Sequence, residues 1–274
     1  MEVRLHSSVD EFRAIAEPLY RRDPVELTVL AADGFPDDSF LMTVWDDGTA
    51  VGAALQTPPY PLACNGIPPA AIDPVVADLA GLRPDLDGVH GVRDAAVAFA
   101  DSWHDVTGLS GRVNSEERLY RLGVLSAPGG VAGSARLATA DDRGLLVEWV
   151  GLFFEEAFSP VHNDEGEEFV DTANRVGHRF VLWEVDGARA SMAMLRVPAA
   201  DVSRIGPVFT PRAERGRGYG SAVTAAAADL AHRSGTPEVV LFADLANPTS
   251  NAIYQRIGFE AVADSVRIDF VTLG

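Results

Sequence analysis

Apolar positions along this chain fall into segments of two alternating periods, and polar turn residues separate them. Ser8-x-x-Glu11 has capping-box spacing, and Phe12, Ile15, Ala16 and Leu19 follow at helical intervals, which predicts an amphipathic helix limited by Pro24. Residues 40–44 and 50–55 are apolar runs flanking Asp46-Asp47-Gly48, a hairpin signal. Residues 58–86, rich in Pro, Ala and Gly, read as irregular with room for a short helix. Helical spacing returns over residues 92–103, and residues 118–125 read as a strand. This half is α+β.

Pro128-Gly129-Gly130 breaks the pattern and is the best domain boundary in the chain. Beyond it, residues 132–138 read as a strand. Asp141 or Asp142 can cap a helix with the apolar stripe Leu145, Trp149, Leu152 and Phe153. An acidic loop over residues 162–168 precedes a short helix ending near Val176. A second hairpin follows, residues 180–185 and 190–197 around Asp186-Gly187. Then come a strand to Thr210, a glycine loop, an alanine-rich helix over residues 222–231, a strand at 239–243, a helix from Pro248 and a final pair of short strands.

The hairpins repeat the order of helix, hairpin, loop and helix, and Asp47 and Asp186 stand 139 residues apart. This suggests a tandem duplication. In the first copy the place of a cofactor loop falls to Asp85-Leu86-Asp87-Gly88-Val89-His90, whose aspartates would repel an anion.

The glycine loop is Arg215-Gly216-Arg217-Gly218-Tyr219-Gly220-Ser221. A strand, a glycine turn and a helix leave backbone N–H groups free at the helix start. The helix dipole adds partial positive charge there, so the concavity suits a phosphate. A Walker A loop needs Gly-Lys-Ser/Thr, and no lysine stands near Gly220. The G-x-G-x-x-G spacing fails from either Gly216 or Gly218. What remains is Arg-x-x-Gly-x-Gly, as Arg215, Gly218 and Gly220. Together with residues 247–259, Asn-Pro-Thr-Ser-Asn-Ala-Ile-Tyr-Gln-Arg-Ile-Gly-Phe, this resembles the two signatures of the GCN5-related N-acetyltransferase (GNAT) family, in the family's order. The resemblance covers residues 131–274.

That resemblance implies a splayed mixed sheet with flanking helices, and the duplication extends it to two tandem GNAT-like domains. Residues 1–128 form a degenerate copy without a cofactor loop, and residues 129–274 the acetyl-CoA-binding catalytic copy. It also implies that backbone groups of Val208, Phe209 and Thr210 hold the pantetheine arm and the thioester oxygen. Arg215, Gly216, Arg217, Gly218, Tyr219, Gly220 and Ser221 take the pyrophosphate, and Asn247 faces the arm. Tyr254 would protonate the departing thiolate. Its helix position equally permits a packed tyrosine, and Asn247-Pro248 is equally a helix start. Glu156 falls on the stripe of Trp149 and Leu152, so it can hold or deprotonate an amine, or else reach water at a frayed end.

A net charge of −18 argues against nucleic acid and is compatible with a cationic amine acceptor of small size; the stretch from Arg212 to Arg217 reverses the sign locally. No run of eighteen apolar residues exists and the N-terminus lacks a signal-peptide core, so no membrane role and a cytoplasmic location are expected. Cys64 cannot form an internal disulfide and reads as a small buried hydrophobe. The six histidines show no metal-ligand spacing, so no metal is expected. The activity implied is acetyl transfer to a primary amine by direct attack. The rivals are a non-catalytic acyl-CoA-binding module, which has no need of Tyr254, and transfer of a longer acyl group.

Overall fold

The computed structural model describes residues 1–30, 35, 38–157 and 165–272; residues 162–164 of the acidic loop lie outside them. The chain forms two compact units. The first comprises Met1–Leu119, Asp244–Ala246 and Val262–Gly274, the second Tyr120–Ala243 and Asn247–Ala261. Packing therefore divides the chain at Leu119 rather than at 128/129, and the end of the last strand belongs with the first unit.

In the first unit, β1 (Glu2–His6) leads into α1 (Val9–Tyr20), where the Ser8 hydroxyl accepts from the Glu11 N–H at 3.3 Å, as the capping box predicts. The hairpin pairs β2 (Phe40–Asp46) with β3 (Thr49–Gln56), turning on Asp47 and Gly48 at φ 44° and 77°. The segment read as irregular contains β4 (Leu62–Ala63) and a full helix, α2 (Ile72–Leu82). β5 (Gly88–Val92) and α3 (Arg93–Thr107) follow. Two long strands, β6 (Ser110–Leu122) and β12 (Phe259–Val271), contribute residues to both units. The order here is β1-β2-β3-β4-β5-β12-β6. Cys64 is buried and its thiol is pushed up to about 12 by desolvation, as for an inert core residue.

In the second unit, β7 (Ser134–Leu137) precedes α4 (Arg143–Ala157) and α5 (Glu165–Val176). The second hairpin joins β8 (Arg179–Val185) to β9 (Ala188–Leu195). β10 (Val202–Phe209), α6 (Tyr219–Arg233), β11 (Glu238–Asp244) and α7 (Pro248–Arg256) complete it, in the order β12-β6-β11-β10-β9-β8-β7. The final pair of short strands is instead the single β12, in which polar Glu260, Asp264, Arg267 and Asp269 interrupt the apolar pattern. The cap of α4 also differs: Thr139 starts the turn and Asp142 closes its capping box.

The duplication has a structural signature. Trp45↔Ala50 and Asp46↔Thr49 in the first hairpin match Glu184↔Arg189 and Val185↔Ala188 in the second, each residue 139 positions on. The register shifts at Val44/Trp45 and Trp183/Glu184 have the same offset. A bulge is a specific device, so its recurrence at one offset supports common descent of the two hairpins. In both units the fourth strand, β4 or β10, pairs antiparallel with the hairpin and parallel with the strand after the next helix.

That alignment corrects the place of the first unit's loop. The loop equivalent to residues 210–218 is residues 64–71, Cys-Asn-Gly-Ile-Pro-Pro-Ala-Ala, whereas Asp85–His90 follows α2 and enters β5. The features of this loop that disfavour an anion are thus different. It carries no arginine or lysine, two of its residues lack an N–H, and Asp73 sits in the first turn of α2. The parallel pair β4/β5 is moreover sewn onward: Cys64 N–H donates to the His90 carbonyl at 2.9 Å, and Val92 N–H donates to Asn65 Oδ1 at 2.7 Å. Gly91 makes this possible, because a Cβ there would lie 2.5 Å from Asn65 Oδ1.

Candidate active site

In the second unit the corresponding pair opens. The parallel register of β10 with β11 runs from Val202↔Glu238 to Ile205↔Leu241 and records no pair beyond it. On its other side β10 resumes contact with β9 only at Val208↔Ala193, after a register shift. Backbone groups of residues 206–209 on the β11 side are therefore left without a strand partner, which is where an extended ligand chain can add hydrogen bonds. Of the residues assigned by resemblance, Val208 and Phe209 lie on this stretch and Thr210 follows it directly. Phe209 is buried against Trp149, with ring centroids 6.0 Å apart. The Ser191 hydroxyl fixes the strand end, donating to the Phe209 carbonyl at 2.9 Å and lying 2.8 Å from Thr210 Oγ1.

After Thr210 a single 3₁₀ turn, Arg212–Glu214, brings the chain round to Arg215. Gly218 caps α6 at φ 85°, a conformation costly for any residue with a Cβ, and no side chain caps the helix. The first intrahelical bond is from Ala222 N–H to the Gly218 carbonyl at 3.0 Å, so the amides of Tyr219, Gly220 and Ser221 remain available to an anion. The Tyr219 and Ser221 side chains are buried and pack the helix, leaving their backbone to face the loop. Arg217 pairs with Glu214 at 3.1 Å.

Arg215 is held in place: its Nε donates to the Thr210 carbonyl at 2.8 Å and its guanidinium lies 5.9 Å from the Phe209 ring centre. Its Nη2 reaches Glu156 Oε2 at 2.6 Å, and Arg212 Nε reaches Glu156 Oε1 at 3.1 Å. Glu156 thus meets the anion loop directly, a link of residues 56 and 59 positions apart that no spacing rule reveals. Burial pushes its carboxyl up, but the hydrogen bonds from Arg215 and Arg212 outweigh this and hold it below the usual range. The core face of α4 keeps Trp149 of the predicted stripe, with Leu145 and Phe153 partly buried against the same cluster, adds Leu146, Val150 and Phe154, and leaves Leu152 exposed. Leu152, Glu155, Glu156 and Arg212 instead line an open cleft.

On α7, Asn247 acts as the cap, its side chain accepting from Ser250 N–H at 3.0 Å. Asn251, unnoticed in the sequence, accepts from the Tyr120 hydroxyl at 2.8 Å. Tyr254 is 9% exposed, its ring 6.4 Å from Tyr120 and 6.2 Å from Phe259. The ring is packed, as the packed-tyrosine reading expects, and the hydroxyl makes no hydrogen bond among the described residues. Desolvation pushes the phenol up to about 12. Among the described residues no cluster of three or more His, Cys, Asp or Glu could hold a metal, and no helix is long and apolar enough to cross a membrane.

The chain belongs to the GNAT family, a class of acyl-CoA-dependent acetyltransferases. The family model described as "Acetyltransferase (GNAT) family" matches residues 144–259. The chain is 32% identical over 262 residues to a mycothiol acetyltransferase of Clavibacter sepedonicus, covering 88% of this chain and 80% of the relative. It also shares the fold of a GNAT-family acetyltransferase from Colwellia psychrerythraea, with TM-score 0.68, 11% identity, and coverage of 98% and 100% of the two chains. A tandem GNAT protein of the clavulanic acid pathway matches with TM-score 0.57, 15% identity, and 98% of each chain covered. Acetyl-CoA is the cosubstrate of this family, and the residues present fit it: three free amides at the start of α6, an arginine fixed at the end of β10 by the Thr210 carbonyl, and strand backbone without a β11 partner.

Proposed function

We propose that this chain acetylates a primary amine on a small acceptor, with amine and acetyl-CoA bound together and no covalent acyl-enzyme. The end of the β10/β11 register at Ile205↔Leu241 is the observation that carries this reading, because it leaves backbone of residues 206–209 free beside the anion loop. Acetyl-CoA supplies the thioester. Arg215 and the amides of residues 219–221 bind its pyrophosphate, and the strand backbone through Thr210 orients the arm. An N–H of this stretch donates to the thioester oxygen as negative charge develops there. The acceptor attacks as the neutral amine and loses its proton to solvent or to a carboxylate of the cleft.

Tyr254 donates to sulfur as it leaves. A phenol held at about 12 gives its proton to a thiolate near 8.5 only uphill, so its contribution is a hydrogen bond that strengthens as sulfur gains charge. The alternative of a silent acyl-CoA-binding module has no use for that hydroxyl. The test is Tyr254→Phe assayed with acetyl-CoA against a panel of amines that starts with mycothiol-related acceptors, after the name of the 32% identical relative. The expected result is turnover by the natural chain, with kcat reduced about tenfold or more in the variant and CoA affinity unchanged. No turnover with any amine despite CoA binding would favour the module.

The domain reading belongs to the same proposal, with the active copy in the second unit and the degenerate copy in the first, as the units divide at Leu119 rather than at 128/129. It is supported by the cation-free loop at residues 64–71.

A further inference from the structure

The side chain that meets the anion loop is itself an anion. Glu156 offers Arg212 and Arg215 one carboxylate oxygen each, at 3.1 and 2.6 Å, from the last turn of α4. Arg215 commits Nε to the Thr210 carbonyl, so the Nη2 now given to Glu156 is one of the donors a bound pyrophosphate would need. Glu156 also lines the cleft of Leu152, Glu155 and Arg212, and its side chain is about one-third exposed, with room to swing that way.

We propose that Glu156 is an internal competitor for the cofactor's arginines, and that cofactor binding frees its carboxylate to hold the acceptor's ammonium. The inference rests on the acetyl-CoA reading above. A pyrophosphate carries more charge than a carboxylate and also gains the three free amides of α6, so it wins the arginines. The released carboxylate, no longer neutralised by two guanidinium groups, is then free to face the cleft it lines. Because coupling is reciprocal, the acceptor binds better when the cofactor is present, and the cofactor binds better when the acceptor is present. Glu156 is in this sense an acceptor-positioning residue, and the contact seen here is its resting partner.

The test is calorimetry with desulfo-CoA on the whole chain and on Glu156→Gln, with Glu155→Gln as the control. Glu155 lines the same cleft and makes no recorded contact with either arginine. The two ion pairs are solvent-exposed, so their loss is expected to tighten desulfo-CoA binding by about fivefold in Glu156→Gln and to leave Glu155→Gln unchanged. The acceptor KM of Glu156→Gln should rise about tenfold while kcat for saturating acceptor changes less. In the natural chain the acceptor should give no heat without desulfo-CoA and measurable heat with it. Unchanged or weaker desulfo-CoA binding by Glu156→Gln, at an unaltered melting temperature, overturns the inference while leaving the acetyl-CoA reading intact. Absence of desulfo-CoA binding by the natural chain removes both.

Discussion

Replacing Asn65 by alanine cuts the stitch that extends the parallel pair of the first unit beyond Ala63↔His90. The side chain accepts from Val92 N–H at 2.7 Å and donates to the Glu26 carbonyl at 3.1 Å. Both partners are left in a half-buried position with no replacement, and an orphaned amide or carbonyl costs about 1–3 kcal/mol, so the expected loss is about 2–4 kcal/mol. A chain of two units does not unfold in one step, so amide hydrogen exchange over residues 88–92 is the right measurement. A loss of about 3 kcal/mol lowers the protection of the Val92 amide by about two orders of magnitude. Asn65→Asp keeps the acceptor for Val92 and should retain most of that protection. Calorimetry should still find one CoA per chain in Asn65→Ala, because opening the gap does not supply the missing arginines. Unchanged protection at Val92, or a second equivalent of bound CoA, would refute the account of the first unit.

Two further outcomes concern stability. Asp142 is 2% exposed and accepts from Arg136 at 2.7 and 2.9 Å, from Arg189 at 3.3 Å and from Thr139 N–H at 2.9 Å. The Arg136 bonds hold its carboxyl far below the usual range, so its contribution is complete above about pH 4 and fades as pH falls below that value. Asp142→Asn should cost about 3 kcal/mol near neutrality in urea titrations of the second unit and flatten the acid limb. His178 is pushed down to about 4 by burial and by Arg196 and Arg204, while its Nδ1 accepts from Val197 N–H at 3.2 Å. The unfolded chain takes up this proton first, so the melting temperature should fall as pH drops from about 6.5 to 4, and His178→Gln should lose that slope.

The legible parts of this chain were those with local causes. Asp-Gly at φ above zero marked both hairpins, Ser8 and Asn247 announced their helices, and the glycine run marked the turn into α6, where Gly218 sits at φ 85°. α2 was hidden because Pro68 and Pro69 stand just before it and Pro74 falls in its first turn, so breakers crowd the start of a helix that tolerates them there. β12 looked like two pieces because Arg118 and Asp264, at 2.6 Å, satisfy charges that interrupt its apolar pattern. Glu156 could be singled out, but its partners could not, since a carboxylate 56 residues from an arginine carries no local mark.

The last strand has a consequence for any attempt to work with half the protein. Val266 and Ile268 of β12 are buried in the core that Val89 and Phe99 share, and Ser265↔Val92 to Asp269↔Gly88 zip it onto β5. A fragment ending at residue 128 is therefore born with an open seam and a hollow in its centre, while one starting at 129 drags a sticky tail. Cloning by the sequence boundary should yield two aggregating pieces, whereas a permuted gene that keeps residues 262–272 joined to the front half preserves the unit's packing.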